Sequence, residues 1–284
     1  MGRSMGFEPT TSGTTNRRSN QLSYDRHHRT EPTRGASGRE RAFAQPAPIG
    51  KRKLRQGGCD ALFLAARPLY GQRMERPGES SAQHLLSIPR MQRVPSPRLE
   101  LFILRDFLDA ETCAALIERI DAKRRPSTIA DANGDDYFRT SETCDLDAAD
   151  SVAMALDQRL AELSGIDPAY GEPLQGQRYA VGQEFKAHTD YFEPGGADYD
   201  KFCSVAGQRT WTFMIYLNDV EAGGATRFKW IDKTVQPERG KLLAWNNRKA
   251  DGEVNPATLH HGMKVRAGTK YVITRWYRER PWGW

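Results

Sequence analysis

The sequence contains no long apolar run. A membrane-spanning helix needs about 20 predominantly apolar residues, and no stretch of the 284 residues comes near that pattern. The first residues, Met-Gly-Arg-Ser, also lack the apolar core of a secretory signal peptide. These absences argue against a membrane partner and make the reducing cytoplasm the expected compartment.

The chain is also poor in cysteine. Its four cysteines, at positions 59, 113, 144 and 203, lie far apart and form no C-x-x-C pair. This spacing excludes a small domain held by disulfides and a zinc ribbon.

The basic character of the chain is confined to one region. Residues 1–95 contain 17 basic and 7 acidic residues, a net charge of +10, whereas residues 96–284 contain 25 and 29, a net charge of −4. The overall charge of +6 therefore gives no indication of a nucleic-acid-binding surface on the second region, and nucleic acid is not an expected partner.

Residues 1–95 have the composition of a disordered segment. They are rich in Arg, Ser, Thr, Gly and Pro and show neither a strand nor a helix period, so they bury too little apolar surface to offset the entropy of ordering. We expect a disordered basic extension. An arm for anionic surfaces, built on Lys51–Arg55, is a second interpretation, and a translation start at Met74 or Met91 is a third.

Residues 96–284 are predicted to form a single domain that begins with helical support over 96–170. A strand is expected at Leu99–Leu104. Asp109 is a good N-cap for a helix with apolar residues at helical spacing, and Asp147 or Asp150 for a second helix that ends near Leu163.

Short β-type runs separated by Gly, Pro, Asn and Asp fill residues 171–284. Many short strands with turn signals predict an antiparallel sandwich or barrel, here with helices packed on one face. The expected fold class is therefore α+β, mainly β.

Outside the basic extension, histidine occurs at only two places. His188 and Asp190 form an H-x-D pair, and on an extended segment residues i and i+2 point to the same side. A histidine from a second strand would complete a set of two imidazoles and one carboxylate, which leaves coordination positions open and suits non-haem Fe(II).

Two residues compete for the distal ligand position. His260 and His261 are adjacent, and adjacent residues on a strand face opposite ways, so at most one of them points into the site. Lys270 follows on the next predicted strand and can pair with the far carboxylate of a dicarboxylic acid bound at the metal.

Four ordered motifs together resemble a known family. They are Tyr179, Gly182, Gln183, Phe185, His188 and Asp190; Tyr216-Leu217; Gly223-Gly224-Ala225-Thr226; and His260, Gly262, Val265, Gly268, Lys270 and Trp276. Their order and spacing resemble the iron and 2-oxoglutarate dependent dioxygenases of the prolyl 4-hydroxylase type, in particular bacterial members. The resemblance implies a double-stranded β-helix (jelly-roll) core.

The resemblance also implies roles for individual residues. It makes His188, Asp190 and His260 the catalytic metal ligands, with His261 beside the site. It assigns Lys270, Tyr179 and Thr226 to 2-oxoglutarate, and Arg209, Trp276 and Arg139 to the substrate. The sequence departs from the family pattern at Phe185, where tyrosine is frequent, and at Arg278, where histidine is found.

The implied reaction is hydroxylation of a prolyl residue in a peptide or protein, with Fe(II), 2-oxoglutarate, O2 and ascorbate, and with release of succinate and CO2. The two departures leave the substrate open, so another amino acid or a small metabolite is an alternative. A non-catalytic metal-binding barrel is a further alternative. The sequence does not indicate an oligomeric state.

Overall fold

The computed structural model describes residues 80–127, 138–196 and 198–283. The helices are α1 (Ser81–Ser87), α2 (Ala110–Lys123), α3 (Ser151–Ser164) and α4 (Tyr199–Cys203), with short 3-10 turns at Pro168–Tyr170, Lys229–Ile231 and Pro256–Thr258. The strands are β1 (Gln92–Arg93), β2 (Leu101–Leu104), β3 (Arg125–Pro126), β4 (Glu142–Asp145), β5 (Gln175–Tyr179), β6 (Phe185–His188), β7 (Arg209–Tyr216), β8 (Ala222–Gly223), β9 (Thr226–Phe228), β10 (Lys233–Val235), β11 (Leu242–Asn246), β12 (His260–Gly262), β13 (Val265–Ala267) and β14 (Lys270–Arg278). None of the helices in these described ranges has the length and apolar character needed to cross a membrane.

Both long helices begin where their sequence predicts. The Asp109 carboxylate accepts a hydrogen bond from the Thr112 amide at 2.7 Å and caps α2. The Asp150 carboxylate accepts from the amides of Val152 and Ala153 at 2.9 and 3.1 Å and caps α3. The predicted capping of both helices is thus confirmed, with Asp150 rather than Asp147 at the second one.

The strands form two main antiparallel sheets. The larger sheet has the order β1-β2-β11-β7-β14-β5-β4-β3 and the smaller one the order β10-β9-β12-β6. A two-stranded ribbon pairs β13 with β8. The pairing of sequence-distant strands is expected for a jelly roll, because strands of such a fold alternate between sheets.

Alternation along the strands creates two cores. On β7, Trp211, Phe213 and Ile215 belong to the core shared with the helices, whereas Met214 and Tyr216 belong to the core shared with the smaller sheet. Residues i and i+2 of a strand line one face, so the larger sheet carries helices on one face and the smaller sheet on the other. The fold is the expected jelly-roll core with supporting helices.

The structure corrects one boundary. The expectation of disorder up to residue 95 is wrong for its last part, since α1 and β1 lie between residues 80 and 95. Leu85 has no exposed surface and packs in the core between α1, α3 and the larger sheet. A single apolar pair, Leu85-Leu86, in a polar stretch was too weak a signal to predict this helix. Residues 1–79 lie outside the described residues.

The predicted division of the domain at residue 170, with helices before it and strands after it, is also less sharp than expected. Between residues 96 and 170, three strands, β2, β3 and β4, pair within the larger sheet, with β2 beside β11 and β4 beside β5. The region from 96 to 170 therefore contributes strands to the barrel as well as helices, because the larger sheet extends beyond the strands that follow residue 171.

Candidate metal centre

Three potential metal ligands meet between the two sheets. His188 ends β6, Asp190 follows two residues later, and His260 begins β12. His260 is the direct partner of His188 across the two strands. One ligand atom from each of the three side chains lies within 4.8 Å of the others, and all three side chains are buried. Strand pairing thus brings together His188 and His260, which are 72 positions apart in the sequence.

Backbone hydrogen bonds orient both imidazoles. The Nδ1 atom of His188 lies 2.7 Å from the Lys186 carbonyl oxygen, and that of His260 lies 2.9 Å from the Thr258 carbonyl oxygen. A carbonyl oxygen only accepts, so each Nδ1 carries the proton and each Nε2 keeps its lone pair. Burial lowers the pKa of both histidines. The neutral imidazoles are therefore suited to bind a metal through Nε2.

The carboxylate is held by a relay of polar side chains. The Thr212 hydroxyl donates to Asp190 Oδ2 at 2.7 Å, and the Asn247 amide donates to the Thr212 hydroxyl at 2.9 Å. Asp190 Oδ1 lies 3.9 Å from His188 Nε2. Thr212 thus leaves one carboxylate oxygen directed at the imidazole nitrogen, where an ion would be shared.

The neighbouring histidine lies on the opposite side of its strand. His261 Nε2 is 2.9 Å from Glu184 Oε2, and both side chains are partly exposed. This geometry places His260, and not His261, toward Asp190. Two imidazole nitrogens and one carboxylate oxygen are a donor set that fits Fe(II) with open coordination positions.

A buried lysine lines the same cavity as the three ligands. Lys270 begins β14 and is 3% exposed. Within the described residues no carboxylate lies in ion-pair distance of its ammonium group, whose nearest aromatic neighbours are the rings of Tyr179 and Tyr216, 5.0 and 5.4 Å away. Burial lowers the pKa of Lys270 to about 7. A buried cation without an acidic partner is suited to receive an anionic ligand.

Tyr179 and Thr226 line this cavity too. Tyr179 is paired with Lys270 across β5 and β14, and its hydroxyl donates to Gln177 Oε1 at 2.8 Å. The Thr226 hydroxyl accepts from the Tyr216 hydroxyl at 2.6 Å, which leaves the Thr226 proton available to a further acceptor. Sequence analysis placed Tyr216 in a family motif but predicted no role for its hydroxyl at the site.

The turn before Thr226 requires glycine. Gly223 and Gly224 have φ angles of +79° and +70°, in the left-handed region that residues with a Cβ rarely adopt. A Cβ on Gly224 would also come within 3.3 Å of the Lys270 side chain. The Gly-Gly pair therefore allows the chain to pass close to Lys270 and to place Thr226 at its side.

The three predicted substrate residues are all buried. Trp276 lines the cavity. Arg209 is 1% exposed, pairs with Glu172 and lies under Trp276, with its guanidinium carbon 4.2 Å from the ring centroid. Arg139 is 5% exposed and donates to Ser141 and Thr143, at 2.9 and 3.1 Å. Their predicted contact with a substrate stays a prediction.

Several neighbours of the site had no predicted role there. Trp245 packs edge to face against His260 at a centroid distance of 5.0 Å, and Phe185 stacks on His188 at 3.5 Å. Thr212 is a polar residue on an otherwise largely apolar strand, and that interruption was the one signal available. Glu172 gave no local signal, because its partners are 37 and 106 positions away.

Known proteins are similar in sequence to the region that builds this site. Residues 174–278 match the 2OG-Fe(II) oxygenase superfamily. A prolyl 4-hydroxylase subunit alpha-3 from Mus musculus is 32% identical over 205 residues, which are 70% of this chain and 38% of that protein. A probable prolyl 4-hydroxylase 9 from Arabidopsis thaliana is 29% identical over 226 residues, 72% of this chain and 76% of the relative.

The solved structures similar to this chain include a viral collagen prolyl hydroxylase from Paramecium Bursaria Chlorella virus-1 in complex with 2OG. It has 24% sequence identity and a TM-score of 0.48, and the match covers 63% of this chain and 94% of that one. The chain spans less than two-fifths of the mouse relative's length. The region that matches the 2OG-Fe(II) oxygenase superfamily, residues 174–278, encloses the His188, Asp190 and His260 cluster.

Proposed function

We propose that the protein is an Fe(II)- and 2-oxoglutarate-dependent dioxygenase that hydroxylates a prolyl residue of a peptide or protein. The observation that carries the proposal is one cavity lined by both the His188, Asp190 and His260 cluster and the buried ammonium of Lys270. The cluster offers three ligands for Fe(II) and the lysine a counter-charge for a carboxylate.

Bound iron, 2-oxoglutarate and O2 supply the oxidising chemistry: the keto acid is converted to succinate and CO2 with one oxygen atom, and the other is inserted into a substrate C–H bond. The protein contributes geometry. Neutral His188 and His260 present Nε2, and Thr212 fixes the Asp190 carboxylate. Such outer hydrogen bonds typically change metal affinity 10–100-fold.

Lys270 is assigned to the far carboxylate of 2-oxoglutarate. A bound carboxylate would form an ion pair with the buried ammonium, and the Thr226 hydroxyl would donate a hydrogen bond to the same carboxylate. Phe185, Trp245 and Trp276 form apolar walls of the cavity, which restrict water around the reacting groups.

Mouse alpha-3 and the Arabidopsis protein are named as prolyl 4-hydroxylases. These names support a prolyl residue in a peptide as the first substrate to test. Free amino acids are the second class of substrate to test. Phe185 and Arg278 differ from the family pattern, and these departures leave the substrate open.

The test is release of succinate from 2-oxoglutarate by the purified protein with Fe(II) and ascorbate, with and without proline-containing peptides. We expect peptide-stimulated turnover that is lost in Asp190→Ala. An ascorbate-free reaction shows whether ascorbate sustains turnover. Absence of succinate under all conditions, with the metal bound, would refute the proposal, and stimulation by a free amino acid alone would replace the peptide as substrate.

A further inference from the structure

The buried carboxylate of Glu172 links two arginines near the metal centre. Glu172 has no exposed surface. Its two oxygens accept from Arg209 Nε and Nη2, both at 2.6 Å, and one of them accepts from Arg278 Nη1 at 2.7 Å. Burial alone would raise the pKa of Glu172, but the two guanidinium groups outweigh it and hold the pKa below its usual value. The carboxylate is therefore charged and shared by both arginines.

Arg209 connects this cluster to the metal-ligand segment. Its Nη1 donates to the main-chain carbonyl of Asp190 at 3.3 Å. Its guanidinium also lies against the ring of Phe192, 5.0 Å from the centroid. One end of the cluster thus contacts the main chain of Asp190 and the side chain of Phe192, the residues on either side of residue 191.

Arg278 reaches in the other direction. Its Nη2 donates to the Phe202 carbonyl, near the end of α4. Two residues further along the chain, Arg280 donates to the carbonyls of Cys203, Ser204 and Val205 at 2.9, 3.1 and 2.9 Å. The last carbonyls of a helix have no hydrogen-bond donor within the helix. Here two arginines supply the donors.

The segment between these anchors is closed on itself. We call residues 191–196 and 198–208 the wall segment. The Gln208 side chain accepts from the Phe192 amide at 2.8 Å and donates to the Phe192 carbonyl at 2.6 Å. Phe192 and Phe202 stack within it at a centroid distance of 5.3 Å. The two ends of the wall segment are therefore hydrogen-bonded to each other.

We propose that Arg278 is a positioning residue that joins Glu172 to the Phe202 carbonyl and thereby locks the wall segment to the metal-ligand segment. The wall segment is then held in one position beside the metal-ligand segment. Arg278 is 1% exposed and acts through other residues, although it occupies a place that the family resemblance associates with a histidine.

The direct test is limited trypsin digestion of the full-length protein, with cleavage after Lys201 followed by mass spectrometry. Lys201 is an exposed residue of α4, and the bond that follows it leads to Phe202. Arg278→Met keeps an unbranched side chain without the guanidinium and leaves Glu172 paired with Arg209, so no buried charge is left without a partner. Loss of a charged hydrogen bond should increase cleavage after Lys201 by about tenfold or more.

Matched variants complete the design. Arg98→Met removes an exposed arginine and should leave the cleavage rate after Lys201 unchanged. Arg278→Lys keeps the charge but cannot hold two partners in a fork, so cleavage should still rise. Wild-type cleavage rates in both Arg278 variants would overturn the proposal. If Arg278→Met does not fold, Arg280→Met tests the outer anchor, where a several-fold rise is expected and an unchanged rate would contradict the account.

A second measurement separates positioning from general damage. Because Arg209 still holds the Asp190 carbonyl, the Co(II) dissociation constant of Arg278→Met should stay within about threefold of wild type, while hydroxylated product per succinate should fall. The coupling ratio rests on the proposed function, but proteolysis does not. If wild type shows no turnover and the cleavage prediction still holds, the proposed function fails and the positioning role survives.

Discussion

At the residue scale, the buried Lys270 ammonium is the group on which 2-oxoglutarate binding depends. Lys270→Met should weaken 2-oxoglutarate binding by about 30-fold or more, because truncating one partner of a buried charge pair typically costs 2–5 kcal/mol. Lys123→Met, at an exposed position at the end of α2, is the control. The KM for 2-oxoglutarate in the succinate assay measures the effect, and an unchanged KM would remove the role given to Lys270.

The same residue predicts a pH dependence with a definite sign. With a pKa of about 7, the free lysine is mostly neutral at pH 8, whereas the carboxylate binds the charged form. Binding at pH 8 should therefore take up a proton, and affinity should fall by up to tenfold per pH unit above the pKa. Calorimetry of the Mn(II)-loaded protein in buffers of different ionisation enthalpy measures the uptake. Equal proton uptake in Lys270→Met would assign it to another group.

Thr212 is predicted to control metal affinity without touching the metal. Thr212→Val removes the hydroxyl that donates to Asp190 and should weaken Co(II) binding about 10–100-fold, as is typical for lost outer hydrogen bonds. Thr212→Ser retains the donor and should bind Co(II) nearly as wild type. Equal affinity in the valine variant would show that the carboxylate is oriented by other means.

Sequence analysis could predict the ligand-bearing residues but not the groups that orient them. His188 and Asp190 are two positions apart, so their shared side follows from strand geometry. His260 was chosen over His261 through the family resemblance, while the hydrogen bond from His261 to Glu184 depends on tertiary contacts. Thr212 and Glu172 meet their partners only after distant strands have paired, which no local pattern records.

At the scale of elements, local signals were sufficient where they were strong. The caps of α2 and α3 follow from Asp109 and Asp150, and the long strand β14 follows from its β-branched and aromatic residues. α1 was missed because it has seven residues and no side-chain cap at Ser80. Its burial comes from contacts with α3 and the larger sheet, and tertiary packing of this kind is not visible in a short polar sequence.

A pair of adjacent leucines tests whether α1 belongs to the domain. Leu85 is fully buried, whereas Leu86 is 51% exposed. Leu85→Ala should lower the free energy of unfolding by about 2–5 kcal/mol, the usual cost of a large-to-small core substitution, and Leu86→Ala by less than about 0.5 kcal/mol. Urea unfolding measures both. Equal small losses would return the domain boundary to residue 95.

At the scale of the whole molecule, the jelly roll explains why a few residues suffice for the site. The smaller sheet supplies the two histidines, and the larger sheet supplies Lys270 and Thr212. Because β6 and β12 are direct neighbours, the ligand positions are fixed by main-chain hydrogen bonds. The site thus depends on the packing of the two sheets more than on any one loop.

The net charge of the chain is unevenly distributed between two regions. The region from residue 96 onward carries a net charge of −4, while the basic excess lies in residues 1–95, most of them outside the described residues. The overall basic charge therefore does not describe the region that contains the metal centre.

The most direct test of the account is isotope labelling under ¹⁸O₂. The purified protein is incubated with Fe(II), 2-oxoglutarate and a proline-containing peptide, and both products are analysed by mass spectrometry. We expect one ¹⁸O atom in succinate and one in the hydroxylated prolyl residue, with neither in the Asp190→Ala variant. Iron-loaded wild-type protein that places ¹⁸O in neither succinate nor any tested substrate would contradict it.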